Sequence, residues 1–142
     1  MKEFEVTKEV WGRSLNIQIE TQTTPEECAA IVEERVSFIN AHKAEFLACL
    51  NDEVVYPVVE GINEDVKEKG VCTLPDKTEV VQPITEKQVE DSFVIAYVCL
   101  VIDGADVEMY VDLETEPDYL GGHQASIIVD ADDSFEFNGI NG

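Results

Sequence analysis

The run "FVIAYVCLVI", residues 93 to 102, limits what this chain can fold into more than any other stretch. It is the longest apolar run, and ten residues are too few to cross a bilayer as a helix. Its Val and Ile content favours an extended strand. Apolar residues occupy odd and even positions alike, so the strand belongs in the middle of a sheet with a helix packed over it. A tight turn at Asp103-Gly104 follows, and then "DVEMYVDLE" alternates cleanly. Val107, Met109, Val111 and Leu113 are expected to face inward; Glu108, Tyr110, Asp112 and Glu114 to face outward. A closing hairpin is expected over about 124 to 130 and 134 to 138, turning through the acidic "DADDS".

The first half supplies the covering layer. Phe4, Val6, Lys8 and Val10 share one strand face; after a Gly12-Arg13-Ser14 turn, Leu15, Ile17 and Ile19 share another, so residues 4 to 20 predict a β-hairpin with one buried side. "TPEE" then opens a helix, with Thr24 as cap, Pro25 in the first turn and Glu27 completing a capping box. Cys28, Ile31, Val32, Arg35/Val36 and Ile39 recur at helical spacing, and Phe46, Leu47 and Leu50 resume the stripe beyond Asn40. This predicts helix from Pro25 to Asn51, in one or two pieces. Pro57 breaks or kinks any helix at "VVYPVVEGI", and a second helix is expected to reach no further than Ile62. Residues 63 to 83 read as an irregular connection with a short strand. Thr85 and Gln88 form a second capping box and start a two-turn helix. No repeat or low-complexity tract interrupts the 142 residues. The expected fold class is α+β: one domain, 1–142, with an antiparallel sheet and helices on one face.

Composition then restricts function. The chain carries 31 acidic and 9 basic residues, a formal net charge of −22. That balance repels nucleic acid and anionic lipid and attracts basic proteins. A phosphate-backbone site needs a Lys/Arg patch, yet from Gln88 to the C-terminus there is no Lys or Arg. No direct nucleic-acid or membrane partner is expected. "MKEFEVTKEV" has no apolar h-region, which points to a cytoplasmic protein. Cys28, Cys49, Cys72 and Cys99 lie 21, 23 and 27 residues apart. Those intervals match no zinc or redox spacing, so buried, reduced thiols are expected. No cofactor or metal motif is present.

Three features compete as sites. His123, behind Gly121 and Gly122, is the candidate catalytic histidine, but no sequence motif supplies its nucleophile or orienting partner. The glycines more simply provide positive φ or a bulge before a strand. Asp130, Asp132, Ser134 and Glu136 alternate as in a calcium loop, but the sixth position is Phe135 rather than Gly and the twelfth is Asn141 rather than Glu. The third feature is a surface. Glu108, Tyr110, Asp112 and Glu114 share the outward face of one strand, and Asp118 and Tyr119 follow in the next loop. Carboxylates interleaved with tyrosines suit a basic partner, since charge steers the encounter and aromatics anchor it.

The hairpin "EVWGRSLNIQIET", the helical middle, "MYVDLE" and the closing "GGHQASIIVDADDSFEFNGI" together resemble a loose set of small bacterial domains of unknown function. His123, Asp132 and Gly139 match that set's pattern, whereas Asp133 stands where glycine is commoner. Members often stand beside polymorphic toxins, so the resemblance implies an immunity role. It carries no established catalytic residues to transfer. The expectation is an acidic, non-enzymatic protein-binding module, with immunity against a basic toxin as its specific form. Two alternatives stay open: a hydrolase or metal-dependent enzyme using His123 with nearby carboxylates, and an oligomerising structural domain.

Overall fold

In a computed structural model, which describes residues 1–141, the first hairpin pairs β1 (Lys2–Val10) with β2 (Arg13–Thr21) in an unbroken antiparallel register. The turn is Trp11-Gly12, one step earlier than expected, with φ of 50° and 79°. Two successive positive φ values give the twist that joins antiparallel strands through two residues. A left-handed tryptophan is costly, and helix α1 (Pro25–Ala41) offsets that cost. The Trp11 backbone N–H donates to Asn40 Oδ1 (2.8 Å) and its indole Nε1 to the Ile39 carbonyl (3.0 Å). Asn40 Nδ2 in turn donates to the Glu9 carbonyl (3.0 Å), clamping the hairpin onto the helix end.

Thr24 caps α1 as its sequence implies, its hydroxyl accepting the Glu27 N–H, but the Glu27 side chain returns no bond to Thr24 and the expected capping box is only half made; Cys28, Val32, Val36 and Ile39 form the buried stripe. The helix stops at His42, whose ring stacks on Phe38, and α2 (Lys43–Cys49) buries Phe46. A π turn at Asn51–Val55 follows. Pro57 has no N–H to return to Glu53, so the ladder widens just ahead of it and the next helix starts afresh. That helix, α3 (Tyr56–Lys69), runs seven residues past the Ile62 limit expected from sequence. Proline is harmless in its first turn, and Ile62 and Val66, one turn apart, hold it down. The connection read as irregular therefore contains half a helix, then a small hairpin of β3 (Cys72–Thr73) and β4 (Glu79–Val80). The second capping box is complete: Thr85 and Gln88 exchange side-chain bonds across the start of α4 (Glu86–Asp91).

The second half is β5 (Phe93–Asp103), β6 (Asp106–Thr115), β7 (Gln124–Val129) and β8 (Phe135–Asn141). The main sheet has the order β1-β2-β5-β6-β7-β8. It is α+β and mostly antiparallel, with one correction: β2 and β5 are parallel, Ile17 opposite Val98. All four helices and the small hairpin lie between these two strands in the chain. A crossover of that length can bring β5 back in the same direction, which a tight turn cannot. β5 is central, as its composition demanded. Helices cover it on one face, as expected. A bulge after Ile95 resets its alternation, so Ile95, Val98, Leu100 and Ile102 point into the core while Tyr97, Cys99 and Val101 point away. β6 shows the expected pattern, with Val107, Met109, Val111 and Leu113 buried and the intervening residues not. β8 runs three residues past its expected end, through Gly139 at φ 102°.

One core joins the inner sheet face to the helices, with Ile17, Ile19, Phe46, Leu50, Leu100, Met109, Leu113 and Ile127 at 1% exposure or less. Phe46 meets Trp11 and Phe135 edge-on at 5.8 and 4.8 Å, locking the two edges of the sheet to α2. No helix is long and apolar enough to cross a membrane. All four cysteines are free; Cys28 and Cys99 are buried as expected, while Cys49 and Cys72 are half-exposed.

Candidate partner-binding surface

The stretch from His123 to Glu136 is strand, turn, strand. Gly121 and Gly122 take φ of 68° and 86°, the positive values expected ahead of β7. His123 sits exposed in that loop, and its ring makes no hydrogen bond among the described residues. Among the described residues, no three His, Cys, Asp or Glu side chains converge as metal ligands. The acidic turn satisfies itself. Asp132 Oδ1 accepts from the Ser134 N–H (3.1 Å) and hydroxyl (2.5 Å), bonds that hold its carboxyl below the usual carboxylate range. Asp133 adopts φ 65°, a conformation that suits glycine and that Asp tolerates. Its carboxylate meets Arg35 at 2.9 Å, tying the turn to α1.

The six proposed contact residues divide. Glu108, Tyr110, Asp112 and Glu114 stand together on the outer sheet face, partly exposed. Asp118 and Tyr119 do not join them. The Asp118 N–H donates to Asp76 Oδ2 at the tip of the small hairpin, and its own Oδ1 accepts from Gly122. Tyr119 lines a shallow 230 Å³ cleft with Val54, Pro57, Val58, Leu120 and Ile140, next to the helical layer. Alternation ends with the strand, so it could not carry these two residues to the same face.

The sheet places on the outer face several residues that sequence spacing alone could not group. Register puts Glu3, Glu5, Glu9 and Glu20 from the first hairpin there, with Asp103 and Asp106, Glu108, Asp112 and Glu114, Asp130 and Glu136. No element packs over them among the described residues. All nine basic residues lie elsewhere: Lys2, Lys8 and Arg13 at inward strand positions, and the others on the helices and the small hairpin. Every ion pair among the described residues also avoids this face. Like charges stand directly opposite at Glu3–Glu20 and Asp103–Asp106, an arrangement that costs stability and goes uncompensated.

At the centre of the face is a cleft of about 350 Å³ floored by Tyr97, Cys99, Tyr110 and Ile128 and rimmed by Glu20, Asp112, Ser126, Asn138 and Asn141. The Cys99 thiol donates to Glu20 Oε2 (3.2 Å), and the Ser126 hydroxyl donates to Asp112 Oδ1 (2.5 Å). Burial, and then the bond to Glu20, push the Cys99 thiol up to about 11. Burial and the negative charge nearby push the Tyr97 hydroxyl up to about 12. A second cleft of about 610 Å³, between Val101 and the 130–132 turn, is lined by Asp103, Asp106, Glu108, Asp130 and Asp132. The one signal in the sequence for the central cleft was the pair Tyr97 and Cys99, polar-tipped and two apart, inside an otherwise apolar strand.

Compared with protein families, curated proteins and solved structures, the chain matches none.

Proposed function

We propose that this protein is a binding module whose outer sheet face docks a basic protein. One observation carries the reading: a whole sheet face bears unpaired carboxylates around tyrosines, while every Lys and Arg lies off it. Such a field speeds encounter with a cationic partner, and the half-buried aromatics give a docked partner something to pack on. Its specific form is an immunity protein that covers the phosphate-binding site of a basic nuclease toxin. The carboxylates would compete there for the lysines and arginines that hold nucleic acid.

Affinity capture from the native lysate, or co-expression with the product of the neighbouring gene, tests the reading. A basic protein should be retained at low salt and released as salt rises. Reversing Glu108, Asp112 and Glu114 to Lys should slow its association at least tenfold with the fold intact. Unchanged association after that reversal removes the face from the account.

A further inference from the structure

We propose that the central cleft of the outer face is a receptor for one arginine side chain of the partner. This deepens the docking reading above and rests on it. Hydrogen-bond accounting points to the ligand. Four donors around the cleft are already committed: the Cys99 thiol to Glu20, the Ser126 hydroxyl to Asp112, the Tyr110 hydroxyl to Glu108, and Asn141 Nδ2 to Ser126. The Tyr97 hydroxyl and the Asn138 amide, both neutral, remain, and the charged acceptors remain with them. Glu20 and Asp112 each keep a second carboxylate oxygen with no protein partner among the described residues, and neither is ion-paired.

Two carboxylates with a free oxygen each and no cation beside them call for a positively charged donor. Guanidinium has five N–H donors, no acceptor and a permanent charge. Its plane also stacks on aromatic rings, and both Tyr97, 42% exposed, and Tyr110 line the cleft. The volume of about 350 Å³ accommodates the guanidinium with its alkyl stem, more room than a compact ammonium fills. An anion would meet the Glu20 and Asp112 carboxylates at the rim with no Lys or Arg on the face to offset them. Strand pairing fixes the frame, with Tyr97 opposite Asp112, Cys99 opposite Tyr110 and Asp112 opposite Ser126.

The test uses the intact protein, ¹⁵N-labelled and titrated with Nα-acetyl-arginine amide, with the lysine analogue in parallel. The arginine compound should give saturable shifts confined to the cleft, in the millimolar range expected of one side chain. Glu20→Gln with Asp112→Asn should weaken it at least tenfold, and the lysine compound should bind several-fold more weakly. Tyr97→Ala, at an exposed position, supplies a second variant should the carboxylate pair disturb folding, and it should also weaken binding. Absence of saturable shifts, equal binding of lysine, or unchanged affinity in the variants overturns the proposal. If the salt-sensitive partner complex survives those results, only the cleft is lost; if no basic partner is captured at all, the docking reading itself fails.

Discussion

The two faces of the main sheet are made by the same strands, often by adjacent residues, yet they follow opposite rules. On the inner face Met109, Val111 and Leu113 are fully buried and meet aliphatic and aromatic neighbours. On the outer face Glu108, Tyr110, Asp112 and Glu114, one residue away in each case, meet solvent and other carboxylates. The inner face supplies cohesion. Burial of a Leu, Ile or Phe contributes about 1.5–3 kcal/mol, which leaves room for an outer face that repels itself.

Substitutions separate the two faces most sharply by their size of effect. Phe46→Ala removes the ring that joins Trp11 to Phe135 and should cost about 3–5 kcal/mol in a denaturant titration. Met109→Ala should cost about 2–5 kcal/mol, whereas its neighbour change Glu108→Gln should stay within about 0.5 kcal/mol or stabilise. A loss of several kcal/mol from Glu108→Gln would break the comparison. Next in size is the cap that sets the helical layer in place. Thr85→Ala, which removes half of a complete capping box, should cost about 1 kcal/mol.

Salt gives a smaller effect of the opposite sign to that of a protein held together by surface ion pairs. Raising NaCl from near zero to half molar should raise Tm by a few degrees, about what screening of like charges provides. A fall would mean that ion pairs outweigh repulsion.

Thiol chemistry sharpens the picture at the centre of the outer face. Cys99 is protonated well past the ordinary thiol range, so at pH 8–9 Cys49 and Cys72 should alkylate first, as read by mass spectrometry. The folded-state pKa lies above the unfolded one, so the contribution of Cys99 to stability is complete below about pH 9 and is lost as pH climbs toward 11. Rapid labelling of Cys99 in the folded protein would show that the cleft floor opens.

Local chemistry made much of this legible from residues alone. Alternation in "DVEMYVDLE", the Thr24 cap, the Thr85–Gln88 capping box and the turn-forming Gly121-Gly122 each act within a few residues, and each gave the observed structure. Pro57 misled because a proline at a helix start and one that breaks a helix look alike until the π turn before it is seen. The parallel pairing of β2 with β5 was not legible, since no local preference encodes which distant strands meet. That pairing also makes the central cleft, because it brings Glu20 to the thiol of Cys99, 79 residues away in the chain. Asp118 and Tyr119 were grouped with the acidic strand because they follow it, but the loop turns them toward the small hairpin and the helices.

Matched charge reversal tests the central claim most directly, because it holds net charge constant and moves only its place. One variant carries Lys at Glu108, Asp112 and Glu114; the other carries Lys at Glu60, Glu64 and Glu68, exposed along α3. Association rates with the captured basic partner are then measured at one ionic strength. The outer-face variant should associate at least tenfold more slowly than the helix variant. Equal slowing in both would mean that overall charge, and not this sheet face, brings the partner in.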